Sequence, residues 1–481
     1  KKVRKVIVLN LVIRKIKNNT INYINSFKEQ QIIFKNSNYD RNIMQEFANV
    51  HSMRNEILNL MTQQRLENDC YLEMLDFTID LFESQGLGTE YYGYHNINHE
   101  LEVTYVSLLA INQEKIKFTE EDKKYLYVAA LFHDFDPQKN VDKPHEESVL
   151  KFISTDKKLQ ELLTSAKIDL EIIKVLILRT TYPWSGETRK NAEKEIQQCF
   201  EKSEITKNNP QVQKHIMEMG WYLSVVDRIS GYALGDFTKA MEMAKMNAHA
   251  LAWRPSIIIR TAVAYFEEIL NKEASMSKAI LKTLPKEMRK NFFDTVLSFM
   301  KIRQQEVTIQ ADHSYENLKL IPTIENQSLQ EDPEFVQTLY DIFLELPKPL
   351  QFGKENFKES IKDEKTIINT LRLNDSKGEI VGFSKGGPLE KYQLREEIRD
   401  EHYGLKNTIF LEPLALKMGY WGLRGGSEMR HLFIMQAHSM KYKYMTSFAL
   451  RDVIKARIDK EDAEFVQQFD PERWDYYRVK L

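Results

Sequence analysis

Between Arg41 and Arg303 apolar residues recur at three- and four-residue spacing, as at Ile43, Phe47, Met53, Ile57 and Leu60, which predicts amphipathic helices. The stretches Leu101–Asn112, Lys124–Phe132, Glu171–Arg179 and Ile216–Ile229 carry the same period. Gly and Pro are scarce there and fall between the periodic runs, as at Gly86, Gly88 and Pro183. After about Glu306 the texture changes. Short strand-like runs occur at Ser314–Pro322, Thr366–Leu373, Glu379–Ser384, Thr408–Lys417 and Tyr442–Phe448, and helical runs at Glu334–Leu346 and Ser427–Met440 lie among them. Strands alternating with helices predict an α/β domain. The expected organisation is multidomain, α followed by α/β: a basic, helical extension over 1–70, an all-helical bundle over 71–305 and an α/β domain over 315–481.

Composition changes this picture little. The chain has 481 residues, 42% hydrophobic and 29% charged, with a formal net charge of -2. That balance is ordinary for a globular protein and offers no electrostatic reason to expect nucleic acid as a partner. Cys70 and Cys199 are the only cysteines, too few for a disulfide framework or a four-cysteine zinc site, so a reducing, cytoplasmic setting is expected. No apolar run approaches the roughly 20 residues that span a bilayer, so stable membrane insertion is not expected. Lys1–Lys17 holds seven basic residues and no acid around the apolar run Val6–Ile13. It has the charged start and short apolar segment of an export signal but no small-residue cleavage site. An artificial start, a processed form, or translated leader sequence ahead of a later start such as Met44 is preferred over a targeting role.

Three short segments carry candidate chemistry: Tyr94-His95-Asn96-Ile97-Asn98-His99, Leu131-Phe132-His133-Asp134-Phe135-Asp136 and Val225-Val226-Asp227-Arg228. His95 and His99 are four apart and would share a face if both were helical. His133-Asp134 sets an imidazole beside a carboxylate directly after an apolar run. Asp227 lies among Tyr222, Leu223, Val225, Val226 and Ile229, where a carboxylate is costly unless it is paired or binds a cation. Taken singly, each piece reads more readily as a satisfied core residue. Taken in order, with 34 residues from His99 to His133 and 94 from His133 to Asp227, they suit a site for zinc, iron, manganese or magnesium.

This set resembles the HD phosphohydrolase superfamily, whose signature is His…His-Asp…Asp on a helical bundle. Within it, the chain looks most like the cyclic-nucleotide phosphodiesterases, which carry Tyr-His-Asn-x-x-His and His-Asp-x-Asp. The resemblance implies that His99, His133, Asp134 and Asp227 hold a first divalent ion, with Asp134 bridging to a second. It also implies that His95 donates a proton to the leaving oxygen. Pro137 stands where those enzymes place a further His, so Asp136 and His145 are the candidates for a second metal shell. Gln304 and Gln305 are candidates by position for the family's purine clamp. Leu176–Thr181 is similar to the family's apolar helix ending in Thr-Asp, with Thr181 in place of Asp. Arg179 and Arg228 flank the site in sequence, and for each a structural salt bridge is preferred over a phosphate contact.

In the α/β region, Gly419-Tyr420-Trp421-Gly422-Leu423-Arg424-Gly425-Gly426 forms a Gly-rich turn ahead of a helical run. Backbone N–H groups at such a helix start suit a diphosphate, although the glycines can equally serve only to turn the chain. The order of elements resembles GNAT-type N-acetyltransferases. That resemblance implies an acyl-coenzyme A pyrophosphate loop at Arg424, Gly425, Gly426 and Ser427, with acetyl-coenzyme A as the ligand. Arg424 falls where the first Gly of the family's Gly-x-Gly pair would sit.

The expected function is a metal-dependent phosphohydrolase. It would cleave a phosphodiester such as a cyclic nucleotide with metal-activated water at Asp134, alongside a GNAT-like regulatory or acyltransferase domain. The alternatives are a nucleotide phosphomonoesterase and a ligand-sensing protein whose metal is structural. The expected partner is a small phosphoester or nucleotide, and a homodimer is compatible with the sequence.

Overall fold

The structure, a computed structural model, describes residues 50–84, 95–137, 146–250, 255–346, 351, 353–412, 414–451, 454–455, 463–469 and 474–481. The basic segment Lys1–Lys17 and His145 lie outside the described residues. The chain divides into two compact units, one of Lys1–Asn247 with Thr261–Met300, the other of Ala248–Arg260 with Lys301–Leu481.

The described part of the first unit is helical. Its helices are α1 (Val50–Gln63), α2 (Asp69–Ser84), α3 (Ile97–Leu109), α4 (Glu120–Phe132), α5 (Glu146–Thr155), α6 (Lys157–Ser165), α7 (Leu170–Thr180), α8 (Gly186–Lys202), α9 (Pro210–Ala233), α10 (Phe237–Ala250), α11 (Ile258–Glu267), α12 (Ala274–Thr283) and α13 (Lys286–Ser314), the last continuing into the second unit. The helical unit begins before residue 71, because α1 buries Met53, Ile57, Leu60 and Met61 and packs on α3. Burying each such side chain contributes roughly 1.5–3 kcal/mol, so this stripe is part of the core and not an appendage.

Local signals set several helix ends. Thr119 and Asp122 form a reciprocal capping box at the start of α4. Asn209 caps α9 by accepting the Val212 N–H, with Pro210 in the first turn where its missing N–H costs nothing. The 24-residue helix α9 packs against α7, α3, α4 and α12. Inside that packing the buried Tyr222 hydroxyl donates to the Ser107 carbonyl at 2.7 Å. The helices packed around α9 therefore fix the three places from which the candidate ligands project, the start of α3, the end of α4 and α9 itself.

The second unit holds a mixed sheet of β1 (Leu320–Ile324), β2 (Ile367–Leu373), β3 (Ile380–Pro388), β4 (Thr408–Leu411), β5 (Ala415–Leu416), β6 (Tyr444–Leu450), β7 (Ala463–Gln467) and β8 (Trp474–Lys480). The order is β1-β2-β3-β4-β6-β8-β7, with β5 pairing β3. Every pairing is antiparallel except β4 with β6. Two parallel strands need a crossover, and α16 (Gly425–Ser439) supplies it. Helices α14 (Pro333–Phe343) and α15 (Lys354–Lys362) bury Phe335, Leu339, Ile342, Phe343, Phe357 and Ile361 beside Ile368, Ile380 and Phe383 of the sheet.

Three expectations are corrected here. The run Ser314–Pro322 is the end of a helix followed by a strand from Leu320. The long run Thr408–Lys417 is two short strands, β4 pairing with β3 and β6, and β5 only with β3. Helix α15 and strands β7 and β8 were not anticipated, since Lys- and Glu-rich flanks mask their short apolar stripes. Among the described residues no helix is long and apolar enough to cross a membrane.

Candidate metal centre

Three elements bring the candidate ligands together. Asn96 caps α3 by accepting the His99 N–H at 3.3 Å, which places His99 and Glu100 in the first turn. Nearly every residue of α3 is buried, His99 and Glu100 among them, Glu100 completely. The buried face of α4 carries the chain inward to His133, its C-terminal cap residue, and Asp134 follows. Asp227 projects from within α9. His95 does not share a helical face with His99, because the capping residue Asn96 separates it from the helix; its ring nevertheless stands edge-on to that of His99 with centroids 5.9 Å apart.

The donor atoms converge. His99 Nε2 lies 3.4 Å from Asp134 Oδ2 and 3.0 Å from Asp227 Oδ1. His133 Nε2 lies 3.5 Å from Asp134 Oδ2 and 3.8 Å from Asp227 Oδ1. Ligand atoms about 2.0–2.2 Å from one ion are roughly 3.0–3.5 Å from each other in octahedral or tetrahedral geometry; three of these separations fit, and that from His133 to Asp227, at 3.8 Å, is somewhat longer. The donor set of two imidazoles and two carboxylates also fits a borderline or hard divalent ion. Nε2 of His133 is buried and makes no hydrogen bond among the described residues, so a cation is the partner its lone pair lacks.

The electrostatics agree. Burial pushes the His99 imidazole down, but Asp134 and Asp227 outweigh it and hold its pKa up at about 9. Burial likewise opposes charge on His133, and Glu100, then Asp134, drive it well above the usual imidazole range. Burial favours neutral Asp134, yet His133 and His99 hold its pKa down at about 2, and the same two histidines hold Asp227 far below the carboxylate range. The arrangement thus stabilises positive charge at its centre.

Sequence reasoning missed Glu100. Its Oε2 lies 2.7 Å from His133 Nδ1, and its Oε1 accepts the Asp134 N–H at 2.9 Å. One carboxylate therefore orients two ligands, turning His133 Nε2 and the Asp134 side chain toward the centre. The signal was an acid directly after His99 in an otherwise apolar helix. Asp136 is buried and accepts a hydrogen bond from Ser148 of α5, and it is not among the clustered donors. Its carboxylate is spent on tying the end of α4 to α5.

In the second unit, Arg424 caps α16 in the left-handed region, with φ 66°, a conformation that favours glycine. Gly425 packs so closely on Leu371 and Leu320 that a Cβ would clash. The Ser427 and Glu428 N–H groups both bond to the Arg424 carbonyl. The expected loop therefore forms a tight turn into a helix start, and Glu428 sets a negative charge in its first turn.

No family model matches this chain, and no curated protein matches it. Solved structures similar to it include a GNAT-family acetyltransferase from Staphylococcus aureus Mu50, at 14% identity over 34% of this chain and 99% of that one, with a TM-score of 0.23. The ribosomal-protein-S18-alanine N-acetyltransferase from Escherichia coli is 11% identical over 34% and 93%, with a TM-score of 0.24. An aminoglycoside 6'-N-acetyltransferase complexed with coenzyme A is 14% identical over 34% and 96%, with a TM-score of 0.24. Scores of this size add nothing to the strand order and crossover described above.

Proposed function

We propose that the helical unit is a metal-dependent phosphohydrolase, acting on a phosphodiester such as a cyclic nucleotide. The observation that carries the reading is that the buried His99 and His133 Nε2 atoms both lie within 3.0–3.8 Å of Asp134 Oδ2 and Asp227 Oδ1. Held there, a divalent ion would supply Lewis-acid charge to polarise a phosphoryl oxygen and make a water acidic enough to attack phosphorus. Glu100 fixes the two ligands it touches, so the site is organised before substrate arrives. His95, beside His99 at the mouth of α3, is placed to protonate the leaving oxygen. Asp134 and Asp227 remain ionised across the neutral range and hold the cationic charge that a phosphate requires.

The test is hydrolysis of a panel of cyclic and linear nucleotides with added manganese, wild type beside Asp134→Ala. Turnover by wild type alone supports the reading, and the preferred substrate separates diesterase from monoesterase. Bound metal with no turnover on any substrate would instead favour a sensor with a structural ion. For the second unit, the left-handed turn at Arg424 opening onto α16 supports a diphosphate-binding role of the acetyl-coenzyme A kind. Calorimetry with acetyl-coenzyme A tests it, with loss of binding expected in Gly426→Val.

A further inference from the structure

A second polar group of the helical unit is left unsatisfied by the fold. Arg179, in the last turn of α7, is 7% exposed, and its Nη1 is buried with no hydrogen-bond partner among the described residues. Its guanidinium lies over the Trp184 ring, 4.0 Å from the centroid. Stacking occupies a face of the planar group and leaves its N–H donors, which point outward in the plane, unspent.

The neighbouring carboxylates are already engaged. Glu273 Oε1 is 3.2 Å from Arg228 Nη2, and Glu273 Oε2 accepts the Trp221 indole N–H at 2.5 Å. Glu193 pairs with Arg189 at 2.7 Å, and Glu268 accepts the Tyr182 hydroxyl at 3.0 Å. Arg189 sits 5.8 Å from the Trp184 centroid and Arg228 5.6 Å from that of Tyr182. Three arginines thus gather around two aromatic rings, and among the described residues Arg179 is the one with no carboxylate in ion-pair contact.

Nothing about this placement is incidental to packing. A Cβ at Gly220 of α9 would lie 2.6 Å from Arg179 Cβ, so only glycine lets the arginine stem lie flat on that helix. Burial holds the guanidinium below its ordinary range, at about 10. An unpaired buried cation costs several kcal/mol, a cost that an anion of matching shape would remove. Thr181, two residues on, also has a buried hydroxyl with no partner among the described residues. Tyr182, between Thr181 and the cis proline, is 38% exposed.

We propose that Arg179, backed by Trp184 and flanked by Arg228, is the floor of a binding site for an oxyanion, the phosphate or carboxylate group of a small ligand. None of the metal ligands is among these residues, and the proposal does not rest on the hydrolase reading. The test uses the full chain freed of metal and titrated with inorganic phosphate or with acetate at constant ionic strength. Calorimetry and the thermal midpoint are the readouts. Saturable binding by at least one anion is expected in wild type, and the more tightly held anion names the group recognised. Arg179→Met should bind at least tenfold more weakly and be no less stable than wild type in anion-free buffer. Arg179→Lys, which keeps the charge but loses the fork, should also weaken binding about tenfold. His133→Ala should bind as wild type does. Absence of saturable binding in wild type overturns the proposal. So does wild-type binding by both Arg179 variants, or loss of binding in His133→Ala alone, which would place the anion at the metal centre.

Discussion

Replacing Glu100 with Gln tests whether the metal centre depends on the carboxylate that contacts both His133 and Asp134. The change keeps volume and removes one acceptor oxygen. Glu100 Oε1 accepts the Asp134 N–H at 2.9 Å, and Oε2 lies 2.7 Å from His133 Nδ1 as an ion pair, while Nδ1 itself bonds to the Ala130 carbonyl at 3.0 Å. A glutamine keeps one oxygen and no charge, so its amide is expected to keep that oxygen on the Asp134 N–H and to turn an NH2 group toward His133. The ion pair with His133 is then lost. The bond to Ala130 remains and moderates the loss, but His133 Nε2 is held less firmly in the converging set.

Supporting residues of this kind typically contribute 10- to 100-fold in metal affinity, or about 1.4–2.8 kcal/mol. The expected result is a Kd for manganese raised within that span, read by competition with a chelating dye. Thermal unfolding of metal-free protein should show a loss of about 1–3 kcal/mol from the mispaired buried donor. A Kd within twofold of wild type, with the fold intact by circular dichroism, would refute the idea that Glu100 organises the ligands.

Metal affinity should rise with pH up to about 9, the value at which His99 gives up its proton in the metal-free protein, by roughly tenfold per unit for each proton displaced; a flat titration from pH 6 to 8 would count against the ligand set. Metal-free stability should move the opposite way, because the raised His99 pKa contributes stability that is complete below about 6.5 and lost as pH rises through 9, which thermal melts across that window check. In the second unit, Lys385 of β3 pairs with Glu412 in full burial, so Lys385→Met should cost about 3–5 kcal/mol in urea unfolding while the double variant with Glu412→Leu recovers much of it; equal losses in both would show the pair to be irrelevant. Arg424→Val should lose about 1–2 kcal/mol, since a β-branched residue resists the left-handed φ, and an unchanged midpoint would mean that the turn relaxes.

The candidate site was legible where chemistry and pattern disagreed. Asp227 stood out because it interrupts an apolar helical stripe, and His133-Asp134 because it follows one. Glu100 makes the same kind of interruption in α3, but a lone acid beside a histidine reads as an ordinary surface residue until the burial of that helix on every side is known. The cap at Asn96 was hidden for a different reason. Spacing alone makes His95 and His99 helical neighbours, and only the hydrogen bond from His99 N–H to Asn96 shows that the helix begins between them. In the second unit the strands of one apolar face were readable, whereas β7 and β8 depend on a partner strand far along the chain. Arg179 lies between these cases. It flanks the site in sequence, where a structural salt bridge was preferred over a phosphate contact, and among the described residues Glu273 is instead engaged by Arg228 and Trp221. Which cations are paired is decided by competition among side chains from α7, α9 and the segment before α12, and no local pattern records the outcome of that competition.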